Sequence, residues 1–377
     1  MMRFKHLCWT INSYFAFIIF AVLKRKYYKK NNEGKGIIFI NTGSLGDVII
    51  SSMILENERI FVDDGDVHLI VKSIYSDLYS NYSGKVKLIF WNQRRYKWSL
   101  YYRIQFLNML HNLQSRVCVN LTSSRGISSD EISLLSGSSV VWCFGNSWKK
   151  ITKVFSKKID SYYDRVLFTD IFNEYERHIK LLELFPTIPL IDKKTDSLCT
   201  SKNNNLKTEN YAGREYIVVA PFSSDLSRGW GEKNYKYLCG QISKHLQVML
   251  VGTQKEREMV ERIRGTNKNV ANLAGKIRLN EVLQLIENAS LFIGNDSGLA
   301  HAALKYEIPM IAIIGGGNFE RYFPFKVQNN RIFLYNKMDC FGCEWECCYK
   351  EKYCLTNVSL NDVYEKSIEL LGINDNT

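Results

Sequence analysis

Short apolar runs alternate along this chain with stretches of helical period. In the first half the runs fall at residues 36–41, 67–71, 86–90, 116–121 and 139–143, each with β-branched or aromatic residues. Helical patterns lie between them, most clearly at 47–56 and 98–113, and the charged stretch 164–185 reads as one long helix. A second series opens with the run 215–220. It continues as helix 234–245, strand 247–251, helix 255–264, strand 270–273, helix 279–288, strands 291–293 and 310–314, and helix 360–371. Strands that alternate with helices predict parallel sheets with helices on both faces. Residues 187–213 have no hydrophobic period and are rich in Asn, Lys, Ser and Thr, the composition of a linker. The expectation is an α/β protein of two Rossmann-like, doubly wound domains, 34–186 and 214–356. A C-terminal helix and tail, 357–377, follow.

Two turns stand out in this pattern. Leu291-Phe292-Ile293 stops at Gly294-Asn295-Asp296-Ser297-Gly298, and an amphipathic run follows. Near the other end, residues 36–56 repeat the order of strand, glycine turn and helix. A turn of this kind aims free backbone N–H groups and the positive end of a helix dipole beyond the strand's carboxyl end, where a phosphate is well held.

Charge changes the picture at one place. The chain carries a net charge of +12, and residues 1–33, with seven basic residues and one acidic, hold half of that excess. Residues 7–23 form a mostly apolar run closed by KRKYYKK, with no small-residue cleavage site after it. The run is either a buried helix or a membrane-associated one, and its all-round apolar face and basic flank favour a membrane. Residues 1–33 are thus expected to hold the chain at the cytoplasmic face of the inner membrane. A basic excess confined to a terminus, with no recognition module, argues against nucleic acid as a partner.

Of ten cysteines, Cys8, Cys118, Cys143, Cys199 and Cys239 are scattered, mostly in apolar runs, as small core residues are. Cys340, Cys343, Cys347, Cys348 and Cys354 cluster with the spacing C-x2-C-x3-CC-x5-C. That spacing suits either a four-thiolate zinc site or a reduced, partly buried loop.

Four motifs in fixed order resemble glycosyltransferase family 9, the bacterial heptosyltransferases. They are Gly46-Asp47-Val48 after the first strand; PFSSDLSRGW, residues 221–230; Gly252-Thr253-Gln254-Lys255-Glu256; and NDSGLAH, residues 295–301. The resemblance runs from about residue 36 to 366. It implies the GT-B architecture, two facing Rossmann-like lobes, with acceptor on the N-terminal lobe and nucleotide-sugar donor on the C-terminal one. It also implies inverting transfer of a sugar, heptose from an ADP-activated donor, to a lipopolysaccharide-core or related lipid-linked acceptor, with no essential metal and no cofactor.

The resemblance assigns roles by position. Asp47 is the catalytic base; read from spacing alone it is a helix cap. Arg228 and Ser223 take the donor diphosphate, together with the backbone of Ser297, Gly298 and Leu299. Glu256 takes the ribose, or else is a solvated helix charge. Asp296 contributes to the donor sugar site, or else caps a helix. His301 is expected to make a structural hydrogen bond. Asp63, Asp64 and Asp66 read as turn charges rather than metal ligands.

Departures from the family's pattern are VIISSMILE after Asp47, the loop GGGNFERYFPF, and the basic, aromatic stretch WNQRRYKWSLYYR. In the last, Arg94, Arg95, Lys97, Trp98 and Arg103 either meet acceptor phosphates and sugar rings or belong to a surface helix packed by its aromatic face. Two other functions share these motifs: a GT-B-fold nucleotide-sugar epimerase, and a non-catalytic nucleotide-sugar-binding protein of a glycan assembly complex.

Overall fold

A computed structural model describes residues 34–57, 60, 65–145, 159–185 and 215–373, together with Leu23. The expected linker lies outside these residues, as does the N-terminal segment apart from Leu23, which is buried in a core. Among the described residues no helix is long and apolar enough to cross a membrane. The chain divides into two compact units, 1–198 and 199–377.

Unit 1 holds a parallel sheet of strands β1 (Ile37–Asn41), β2 (Val67–Lys72), β3 (Lys87–Trp91), β4 (Val117–Asn120), β5 (Val140–Phe144) and β6 (Arg165–Leu167). Their order is β3-β2-β1-β4-β5-β6. Its helices are α1 (Leu45–Ser51), α2 (Gln93–Trp98), α3 (Leu100–Asn112), α4 (Ile127–Leu134) and α5 (Glu174–Glu183). Every residue of β1 is buried, as a central strand covered on both faces demands. One core packs Ile38, Ile40 and Ile70 against Phe106, Leu107 and Leu110 of α3. Each such side chain contributes about 1.5–3 kcal/mol on leaving water.

Unit 2 repeats the plan with β7 (Tyr216–Ala220), β8 (Gln247–Leu250), β9 (Val270–Asn272), β10 (Leu291–Asn295), β11 (Met310–Ile313) and β12 (Arg331–Leu334). Their order is β12-β11-β10-β7-β8-β9, again all parallel. The helices are α6 (Glu232–Ile242), α7 (Arg257–Arg264), α8 (Leu279–Glu287), α9 (Gly298–Lys305), α10 (Tyr353–Thr356) and α11 (Leu360–Leu371). Counted from its own first strand, this sheet has the strand order of unit 1. In both, the order reverses between the first and fourth strands, and the crevice beyond their carboxyl ends is where such folds bind ligands.

Three expectations need correction. Residues 164–185 are not one helix. The chain first adds the short edge strand β6, and helix begins only at Glu174, capped by the Asn173 side chain. A sixth strand, β12, follows residues 310–314 in the second sheet. Arg103 is not available to acceptor phosphates. It is buried and grips Glu131 of α4 through two hydrogen bonds, one of them Nε to Oε1 at 2.7 Å.

Candidate active site

In unit 1 the loop after β1 is organised around one carboxylate. Ser44 is the N-cap of α1, and Asp47 is the third residue of the helix. The Ser44 N–H and hydroxyl both donate to Asp47 Oδ2, each at 2.7 Å. The other oxygen, Oδ1, accepts from the hydroxyl of Ser123, which stands in the loop after β4. The Ser123–Asp47 bond therefore crosses the switch point of the sheet. Buried Asn41 braces the turn, donating to the Asp47 carbonyl at 2.9 Å and accepting from the Gly43 N–H at 2.8 Å. Gly43 lies so close that a Cβ there would sit 2.5 Å from the Asp47 side chain, so only glycine fits. The capping alternative for Asp47 is thus met literally, as one half of a capping box. Three donors thus converge on the two oxygens of this carboxylate.

Three titratable side chains lie within electrostatic reach of Asp47. Burial lowers the Lys72 ammonium below its usual range, partly offset by the Asp47 charge. Burial, then the Asp47 charge, raise the Tyr75 phenol. His178 of α5 is pushed down to about 4, chiefly by burial, against the pull of the Glu174 carbonyl and Asp47. An unfolded histidine titrates near 6.5, so below that pH the unfolded chain takes a proton that the native chain refuses until about 4. Stability is lost as pH falls through this window. Denaturant titrations at pH 7 and pH 5 should show wild type losing about 2 kcal/mol more than His178→Gln. Equal losses would mean that His178 carries no such burial penalty.

In unit 2 the carboxyl edge is built differently. Asn295, fully buried at the end of β10, ties the two central strands together. Its amide donates to the Pro221 carbonyl at 2.5 Å, and its oxygen accepts from Tyr235 at 3.0 Å and the Trp230 N–H at 3.3 Å. Ser297 is the N-cap of α9, so Asp296 is not the cap. The Ser297 Oγ is buried without a hydrogen-bond partner. Ser297, Gly298 and Leu299 form the first turn of α9, where backbone N–H groups point outward. Asp296 is pushed up to about 6, mainly by burial, with Arg228 opposing. Arg228 stands in the loop after β7, its side chain 34% exposed, and pairs with Asp225 at 3.2 Å. Ser223 is buried, with its hydroxyl donated to the Asp225 carbonyl at 2.9 Å.

Glu256, after β8, resembles Asp47 in its setting. Its Oε2 accepts the Thr253 N–H at 2.6 Å in a second capping box. It is a turn-closing residue rather than the plain solvated charge of the alternative. The structure therefore brings Arg228, Asp296 and the first turn of α9 together, and sets Glu256 one strand away. His301 is buried and stacked 4.5 Å from the Phe323 ring, a packing role. Arg94, Arg95, Lys97 and Trp98 lie exposed on α2, with Lys97 5.3 Å from the Trp98 ring. They are surface residues, while Tyr96 of the same helix packs inward on Trp91 and Phe106.

Asp66 pairs with Lys87 at 2.6 Å, consistent with a turn charge, and Asp63 and Asp64 lie outside the described residues. Cys118, Cys143 and Cys239 are buried core thiols. Among the described residues no three metal-ligating side chains converge, Cys340 to Cys354 included. Sequence reasoning missed Trp345, whose ring lies 4.8 Å from the Arg228 guanidinium carbon. It stands among five clustered cysteines, and no sequence signal links it to a loop more than a hundred residues earlier.

Twin doubly wound sheets, each with polar chemistry at its switch point, define a GT-B-like α/β protein. Residues 172–353 match the model of glycosyltransferase family 9 (heptosyltransferase). Over that stretch, a little under half of its length, the chain is similar to that family. It is 26% identical over 161 residues to lipooligosaccharide heptosyltransferase 2 of Campylobacter jejuni, covering 41% of this chain and 51% of that protein. It is 35% identical over 95 residues to lipooligosaccharide heptosyltransferase 2 of Haemophilus influenzae, covering 24% and 28%. The chain thus spans about half the length, or less, of the curated relatives it matches. A solved structure, ADP-heptose lps heptosyltransferase II of E. coli, superposes with a TM-score of 0.67 over 89% of this chain and 98% of that one. At 18% identity this is a likeness of fold.

Proposed function

We propose that the protein transfers a sugar, heptose from ADP-heptose, onto a lipopolysaccharide-core acceptor, with inversion and without a metal. One observation carries the reading. At the switch point of unit 2, the half-buried Asp296, the partnerless Ser297 hydroxyl and the first amides of α9 gather beside Arg228. Polar groups held out of water without partners are costly and call for a ligand. Arg228 and the α9 amides fit a diphosphate, because a guanidinium can take two phosphate oxygens at once and a helix N-terminus favours an anion. Asp296 repels phosphate and suits sugar hydroxyls, which donate to it. In this reading Glu256 takes the ribose hydroxyls, as a carboxylate after the second strand of such a fold can.

The reaction is a single displacement at the anomeric carbon. Asp47 accepts the proton of the attacking acceptor hydroxyl, and Arg228 with the α9 amides stabilises the charge that grows on the departing diphosphate. Lys72, beside Asp47, suits an acceptor that carries a carboxylate or phosphate near that hydroxyl. The names of the relatives support heptose, ADP and a lipopolysaccharide or lipooligosaccharide acceptor. The basic N-terminal segment and the exposed Arg94, Arg95, Lys97 and Trp98 support work at an anionic membrane surface, the cytoplasmic face of the inner membrane.

Thermal unfolding with ADP, UDP, GDP and CDP tests the donor. Ligand at about 100 times its Kd adds roughly 2.7 kcal/mol of apparent stability, a shift of several degrees. ADP should give the largest shift. If none of the four moves the midpoint, the donor site is misassigned.

A further inference from the structure

The loop that carries the clustered cysteines has no role in the reading above, yet it touches the residue assigned to the diphosphate. Two backbone hydrogen bonds pin it to the turn after β11: Gly342 N–H to Gly316 carbonyl at 2.8 Å, and Glu344 N–H to Gly317 carbonyl at 2.9 Å. Glu344 and Trp345 then take left-handed backbone angles, φ 51° and 67°, which swing the indole back over the same turn. A Cβ on Gly317 would lie 2.3 Å from the indole, one on Gly315 2.6 Å from it, and one on Gly316 2.3 Å from the Phe341 ring. The run Gly315-Gly316-Gly317, a departure from the family's pattern, is a seat for these two rings.

The upper face of the seated indole holds Arg228, whose guanidinium carbon is 4.8 Å from the ring centre. Further along the loop, Lys352 Nζ donates to Ser227 Oγ at 2.8 Å. The same hydroxyl donates to Asp225 Oδ1 at 2.7 Å, and Asp225 Oδ2 pairs with Arg228 Nε. Asp225 is held below the usual carboxylate range, first by Ser227, with Arg228 and Lys352 adding. Two cations thus flank one carboxylate on the rim of the anion site, and both are fixed by the loop.

We infer that residues 339–352 form a wall of the diphosphate subsite, with Trp345 a positioning residue that sets the plane of the Arg228 guanidinium and Lys352 a second cation for the diphosphate. The inference rests on the donor-site reading. Stacking on an indole face restricts a guanidinium to rotation in its own plane, which directs its N–H edge outward beside the Asp225 charge. A nucleoside diphosphate then takes both cations, Arg228 from Asp225 and Lys352 from the Ser227 hydroxyl.

The test is calorimetric titration of the full chain with ADP. Trp345→Leu should weaken ADP about 5- to 20-fold in the wild-type background, and less than twofold when Arg228 is already Met. Trp345→Phe, which keeps an aromatic face, should stay within about threefold of wild type. Lys352→Met should weaken ADP about 5- to 10-fold, with a shallower dependence on salt, and Lys352→Arg should keep most of the affinity. A loss on Trp345→Leu that is equal in both backgrounds overturns the positioning role, because a damaged fold would not depend on Arg228. Unchanged affinity in Lys352→Met overturns the second cation. Wild type that binds none of ADP, UDP, GDP and CDP overturns the donor reading itself, and this inference with it.

Discussion

Asp47→Asn should reduce sugar transfer by about two to four orders of magnitude while leaving ADP affinity unchanged. The substitution keeps size and shape, and most of the local bonding survives. The amide oxygen can still accept from the Ser44 N–H and hydroxyl, and the amide N–H can donate to Ser123. Thermal stability should therefore fall by about 1 kcal/mol or less. What disappears is the ability to accept a proton. Rates measured with saturating donor, beside an ADP titration of the same sample, separate chemistry from binding. Transfer at the wild-type rate would remove Asp47 from the mechanism and leave it a helix-terminating residue.

Arg103→Met should destabilise unit 1 by about 3–5 kcal/mol, a fall of the order of 10 °C in the unfolding midpoint. Glu131 has no exposed side-chain surface and takes two hydrogen bonds from Arg103. Burial already raises its carboxyl above the usual range. Without Arg103 a charge, or a proton taken against its preference, remains in the core between α3 and α4. A methionine fills most of the volume, so the loss is electrostatic rather than a cavity. The double variant Arg103→Met, Glu131→Leu should recover most of the stability, because the pair is then replaced by apolar groups. If the single variant unfolds like wild type, the ion pair is not holding these helices together.

These two residues show where the sequence is legible. Asp47 stands out because strand, glycine turn and helix follow one another with nothing to obscure the pattern. Its partner in the capping box, Ser44, was equally visible, three residues before an acid at a helix start; Thr253 and Glu256 repeat that spacing. Ser123 was not legible, because only the neighbouring of β1 and β4 brings it to Asp47 across 76 positions of chain. Arg103 looked like surface chemistry for the opposite reason. Helix α4, ISSDEISL, hides its apolar face behind Asp130 and Glu131, and the charge of Glu131 is answered by an arginine 28 residues earlier in the chain. Strand β6 is three residues long and begins with Arg165, too short for a period of two to show. The strands buried on both faces, β1, β7 and β10, were the easiest to place.

The two oxygens of Asp47 are not equivalent. Oδ2 is locked by the helix terminus, through an N–H that cannot turn and a hydroxyl that also belongs to the cap. Oδ1 accepts from the hydroxyl of Ser123, a side chain brought in by the neighbouring strand β4. The oxygen held by two donors of the cap is the poorer place for a proton, and Oδ1 the better one. A hydroxyl can give a hydrogen to a carboxylate or receive one from its acid form, so the bond between Ser123 and Asp47 suits either state of the group while the cap of α1 stays in place.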